Sequence, residues 1–302
     1  MVHLRIPELN SPIPGQPVNR GPFAVMQYPK LFLTFARNSL IRDMTFRTNF
    51  LIEVISSISW MVMNLGFYLL VYSYTDSIGD PQNPEDGWTK YQFFVFIATT
   101  MFINSIVQAM FMPNAQEMSE LVRTGGLDFA LLKPIDTQFL LSLRRVNWSS
   151  LGNFVVAFGV LIYASQHLDH TGFTLVQYLL YPIYIVCGVL ILYSIMFSLA
   201  ATSIWLGRNQ TLYDFWFYIT NFSRYPLEIY SGNALGNALQ TVFTYFVPVL
   251  IVINVPARMM AKPLTAEYAY LAGYAIIATV LSLVINRWVF QRALASYRSA
   301  SS

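Results

Sequence analysis

The chain has 302 residues, of which 55% are apolar, 16% aromatic and 11% charged, with a formal net charge of +3. So little polar surface cannot coat a soluble protein of this length, and a lipid-facing exterior resolves the shortage. The small net charge excludes nucleic acid as a serious partner, and the single cysteine, Cys187, supplies neither a disulfide framework nor a Cys-based metal site.

Residues 1–27 read as a flexible cytoplasmic tail. Six of the fifteen prolines fall within residues 1–29, and no apolar run there resembles a signal peptide. Over residues 28–48, Tyr28, Leu31, Phe32 and Phe35 recur at helical spacing with Lys30 and Arg37 opposite, which predicts an amphipathic helix lying along the membrane surface. Residues 49–295 hold six apolar blocks, read against the roughly 20 residues that cross a bilayer core. They are Phe50 to Tyr72, Tyr91 to Met112, Leu151 to Ser165, Leu175 to Leu206, Ala234 to Val255 and Tyr268 to Val289. The third is the shortest and could begin near Phe139. Residues 296–302 are a short tail.

Lys and Arg are retained on the cytoplasmic side of membrane proteins. With the amino terminus inside, fifteen of them fall in inner segments, Arg208 and Arg224 included, and three fall outside: Lys90, Arg258 and Lys262. The tally supports an even number of spans with both termini cytoplasmic. Arg258 and Lys262 run mildly against it. The fold class expected is an all-α integral membrane protein with six transmembrane helices, an N-terminal amphipathic interfacial helix, and a cytoplasmic helical segment between spans two and three.

Gly-Lys occurs nowhere in the chain, so a phosphate-cradling Walker A loop is absent and nucleotide hydrolysis would belong to another protein. His167 and His170 sit in a short loop without further ligands, and no metal site is expected. A membrane-embedded lipid-modifying enzyme would need a convergent polar site, and no motif for one is present.

Residues 116–136 read QEMSELVRTGGLDFALLKPID. Glu117, Glu120 and Arg123 are three apart, on one helical face. Gly125 and Gly126 suit a helix end, Asp128 suits the cap of a following turn, and Pro134 suits its stop. Two readings stand for this segment on its residues: a docking surface, or an ordinary charged inner loop. Glu53, the one acid within a span, either pairs with Arg42 and Arg47 or serves a proton relay.

The segment resembles the type-2 ABC exporter permeases, in which an acidic residue, Ile or Val, Arg, Gly, Leu-Asp and Leu-x-x-Pro follow one another between spans two and three. The matching positions are Glu120, Val122, Arg123, Gly125, Gly126, Leu127, Asp128, Leu132 and Pro134. YPLEIYSG at 225–232 and FVPVLIVINVPARMM at 246–260 are similar to that family's Tyr-Pro segment and its following apolar span. The resemblance implies an inner-membrane permease subunit with no cofactor of its own, ATP and Mg being held by a cytoplasmic ABC ATPase. It also implies a second permease copy or paralogue as partner, and export of an amphiphilic or apolar compound. Glu117, Glu120, Arg123, Gly125, Gly126, Asp128, Lys133 and Pro134 become the expected ATPase-coupling residues.

In such a fold the first, second and fifth spans face the partner. Asn64, Asn104, Gln108, Gln240 and Thr244 are therefore the expected cargo path, with Met61, Met63, Met101 and Met110 as a pliable lining. Interhelical hydrogen bonding alone is the competing reading. A non-transporting scaffold with the same fold is the further alternative.

Overall fold

The computed structural model describes residues 27–45, 47–79, 87–169, 172–206 and 210–297. Most of the two tails, with His3, His170 and Arg208, lies outside the described residues. The elements are α1 (Gln27–Thr45), α2 (Arg47–Val71), the short strands β1 (Ser77–Ile78) and β2 (Trp88–Thr89), α3 (Lys90–Met110), α4 (Met112–Arg123), α5 (Gly126–Leu131), α6 (Thr137–Leu143) and α7 (Leu151–Gln166). They continue with α8 (Leu175–Ala201), α9 (Ser203–Leu206), α10 (Gln210–Asn221), 3₁₀ turns at Phe222–Arg224 and Leu227–Tyr230, α11 (Ala234–Thr241), a π-helical turn at Val242–Phe246, α12 (Leu250–Ala261) and α13 (Ala266–Ser296).

Four helices are long and apolar enough to cross a bilayer: Phe50–Val71, Lys90–Arg123, Leu175–Leu206 and Tyr268–Ser296. The third predicted span is the shorter α7, and residues 144–150 separate it from α6 rather than extending it back to Phe139. The fifth is not one straight helix, because Ala234–Phe246 and Leu250–Ala261 meet at 89°. Pro248 is the cause. It has no N–H to give, and it pushes the preceding residue out of the helical region, where Val247 sits at φ −119°, ψ 86°.

The second span continues past its expected end, since α3 and α4 together run from Lys90 to Arg123, 34 residues. At 1.5 Å per residue that is about 50 Å, so about 20 Å projects beyond a bilayer core of about 30 Å. Pro113 in the first turn of α4 makes only a local break at Phe111.

Within the bundle α3 lies along α7, and α8 lies between α12 and α13. The α8–α12 contact is backbone-close: a Cβ at Gly188 would stand 2.7 Å from the carbonyl oxygen of Val252. Small residues allow this approach in a membrane, where packing replaces the hydrophobic effect as the glue between helices. By contrast α2 is almost wholly exposed. Basic side chains gather at one end of the bundle, where Arg144 and Arg145 meet Glu117 and Arg287 meets Asp136. Lys90, Arg258 and Lys262 lie at the opposite end.

Helix α1 is tied to that basic end by the chain that leads into α7. The N–H of Val146 donates to Ser39 Oγ at 3.1 Å, Trp148 Nε1 donates to the Ala36 carbonyl at 3.0 Å, and the Tyr28 and Phe139 rings meet edge-on at 4.8 Å. Leu33, Leu40 and Ile41 remain exposed on its other side.

Candidate functional site

Two regions hold the residues singled out by the sequence. The first is the projecting end of α4 with α5. Gly125 adopts φ +71°, the left-handed backbone that ends α4 after Thr124, while Gly126 opens α5. Arg123 donates through Nε to Glu120 at 2.9 Å, and both side chains are more than half exposed. That bond holds the Arg123 guanidinium above its ordinary pKa, with the nearby Glu120 charge adding to the effect.

Glu117 does not share this surface. It turns toward Arg144 and Arg145 and is only 19% exposed, so it ties α4 to the end of α6. Burial lowers the pKa of Arg145, and Arg144 and Arg42 lower it further against the pull of Glu117. The capping role expected of Asp128 belongs to Asp136, whose Oδ1 accepts the N–H of Phe139 at 3.0 Å at the start of α6; Asp128 lies instead in the first turn of α5. α5 stops at Leu131, three residues before Pro134, and Lys133 lines a cleft of about 260 Å³ against α1 with Arg42, Arg144 and Arg145.

Asp136 is also gripped by Arg287 of α13, at 3.1 Å and 2.7 Å. Burial alone would raise its carboxyl, but the Arg287 hydrogen bonds, the N–H groups of Phe139 and Gln138 and the Arg287 charge together hold it below the ordinary carboxylate value. Asn114, which the sequence does not single out, staples the same region: its side chain donates to the Arg145 carbonyl at 2.8 Å and accepts the Arg145 N–H at 2.9 Å. Glu53 accepts a 2.6 Å hydrogen bond from Ser149 and shares a cleft of about 550 Å³ with Arg42 and Arg145.

The second region is a cavity of about 220 Å³ between α2, α3 and the 3₁₀ turn after α10. Asn64, Asn104 and Gln108 all line it, as their helical spacing predicts. Met61 and Met101 line it too; Met63 and Met110 do not. Gln240 and Thr244 are also absent from its wall, because the bend at Pro248 puts α11 and the π turn elsewhere.

Three further wall residues, Ser105, Asn153 and Arg224, are not ones the sequence picks out. Ser105 lies on α3 between Asn104 and Gln108, and Asn153 lies in the first turn of α7. Charge counting places Arg224 with the basic end, and it belongs to neither that end nor its loops. It stands beside Tyr68, one turn from the far end of α2, and the next segment, Leu227–Tyr230, reaches the opposite end of the bundle through Glu228 and Trp88. The signal available is its setting, an arginine within the aromatic run FWFYITNFSRYPLEIY.

A family model described as ABC-2 family transporter protein matches residues 58–301. No curated protein and no solved structure matches the chain.

Proposed function

This chain belongs to the ABC-2 family of transporter proteins, and we propose that it is the six-span permease subunit of an exporter driven by a separate cytoplasmic ATPase. The observation that carries the reading is mechanical. One helical run, Lys90–Arg123, holds Asn104 and Gln108 in the wall of a cavity along its middle and the exposed Glu120–Arg123 pair at its end. A subunit that pushes on the projecting end therefore moves the cavity wall, with no flexible joint of the kind glycine or a long loop would supply.

In this reading the basic end is cytoplasmic, as the distribution of Lys and Arg favours. The ATPase docks on Glu120, Arg123 and the Gly125–Lys133 turn, with α1 flanking it. Two permease copies, or this chain and a paralogue, pair through the largely uncovered α2 and the α11–α12 bend, and enclose a path that the cavity opens into. The ATPase carries ATP and Mg. The cargo is amphiphilic, since the cavity wall mixes Trp60, Met61 and Met101 with amides and hydroxyls.

The test is to express the chain with an ATPase encoded beside it, purify through a tag on this chain, and assay ATP hydrolysis for wild type, Glu120→Lys and Arg123→Glu. Co-purification that the charge reversals weaken, with the unfolding temperature unchanged, is the expected result. Failure of any ATPase to associate with a folded wild-type chain would overturn the reading.

A further inference from the structure

Among the described residues, Arg224 is the only charged one in the wall of the α2–α3 cavity. No carboxylate among them pairs with it, and it lies at the level of Tyr68, within the length of α2. An arginine at such a position is costly to keep unless it meets water, another helix's acceptors or an anion.

A second observation points to a ligand independently. Ser105 Oγ and Asn153 Oδ1 are buried in the wall, and neither has a hydrogen-bond partner among the described residues. Buried polar atoms are nearly always satisfied, so two orphans in one cavity mark a place that a polar guest or water fills. These atoms belong to the half of the cavity nearer Gln108, while Arg224 belongs to the half nearer Tyr68. Ile97 and Gln108, both in the wall, are eleven residues apart on one helix. That makes the wall about 16 Å long, with Thr100, Met101 and Asn104 between its ends.

We infer that the cavity takes an anionic amphiphile: a carboxylate, sulfate or phosphate on Arg224, an apolar chain against Trp60, Met61 and Met101, and a neutral hydrogen-bonding group at Ser105 and Asn153. The inference rests on the cavity being the cargo path of the proposed exporter, and it narrows the cargo to one charge class. Arg224 sets that class because a guanidinium forms a charge-assisted, paired hydrogen bond with an oxyanion and gains nothing comparable from an ester.

The test needs no ATPase, so its failure is separate from failure of the transporter reading. The purified chain in zwitterionic nanodiscs is titrated with 11-(dansylamino)undecanoic acid and with its methyl ester, and empty nanodiscs supply the background. Wild type should bind the acid about tenfold more tightly than the ester. Arg224→Gln should erase that preference and Arg224→Lys should keep most of it, both with the wild-type unfolding temperature because the side chain is exposed. Asn104→Trp, which fills the cavity, should weaken both probes. Equal binding of acid and ester by wild type, or a preference that survives Arg224→Gln, overturns the charge assignment. Binding of neither probe, or binding that Asn104→Trp leaves untouched, overturns the site itself.

Discussion

Arg258 of α12 and Glu228 of the Leu227–Tyr230 turn form an ion pair that is more than nine-tenths buried. Trp88 Nε1 donates to the same carboxylate at 2.9 Å, and the Tyr268 ring lies 3.1 Å from the guanidinium carbon. Lys262 closes the group by donating to the Gly87 carbonyl at 2.8 Å. The two cations that run against the charge rule are thus absorbed by partners, and they pin the turn after Arg224 to α12, α13 and the start of α3.

Removing one partner of a buried pair leaves an uncompensated charge, which costs about 3–5 kcal/mol. Glu228→Gln and Arg258→Met should each lower the thermal unfolding midpoint in detergent sharply. The double variant Glu228→Leu, Arg258→Met should recover much of the loss. A single variant as stable as wild type would show that the pair holds nothing in place.

Glu117 and Glu120 differ in burial, and removing them should differ in cost. Glu117→Gln should destabilise by about 1–3 kcal/mol, because Arg144 and Arg145 lose their shared acceptor. Glu120→Gln, on an exposed face, should change stability by less than about 0.5 kcal/mol. Parallel melts of the two variants check this, and equal losses would put Glu120 in the fold rather than on a docking surface.

Asp136 predicts an acid-sensitive clamp. Its folded-state pKa is depressed, so it adds stability that is complete above the unfolded value of about 3.9 and is lost as pH falls through the lower folded value. The groups facing its carboxylate are Arg287 and the N–H groups that open α6, while its own N–H donates to the Tyr28 hydroxyl. Wild type should be more stable than Asp136→Asn at neutral pH, and the gap should close on acidification below about pH 4. A gap independent of pH would remove the carboxylate as its source.

Gly188 predicts a steric limit between α8 and α12. Its missing Cβ leaves room for the Val252 carbonyl, and Gly188→Val should cost at least about 1–3 kcal/mol by forcing α8 from α12. Gly159→Ala is the control, since nothing lies within 4 Å of a Cβ there. Melting curves for the pair should show a large loss for the first and none for the second.

By themselves, composition and block length determined the membrane class, because the bilayer sets a length and a polarity that a chain must match residue by residue. Gly125 as a helix end and the shared face of Asn104 and Gln108 followed from backbone sterics and helical period, both local properties.

What only the tertiary structure decided depends on where two distant segments meet. Glu117 and Glu120 have the same spacing logic, yet one is enclosed by Arg144 and Arg145 and the other is open, because α6 returns along only one side of α4. The resemblance puts Thr244 beside Asn104 and Gln108, and beyond an 89° bend it does not line their cavity; charge counting puts Arg224 in a basic loop, and it stands in the cavity wall. Such counting along a chain assumes that a short segment between two spans stays at one end of the bundle, and the segment after α10 does not: Asn254 and Arg258 hold Tyr225, Leu227 and Glu228 toward the far end.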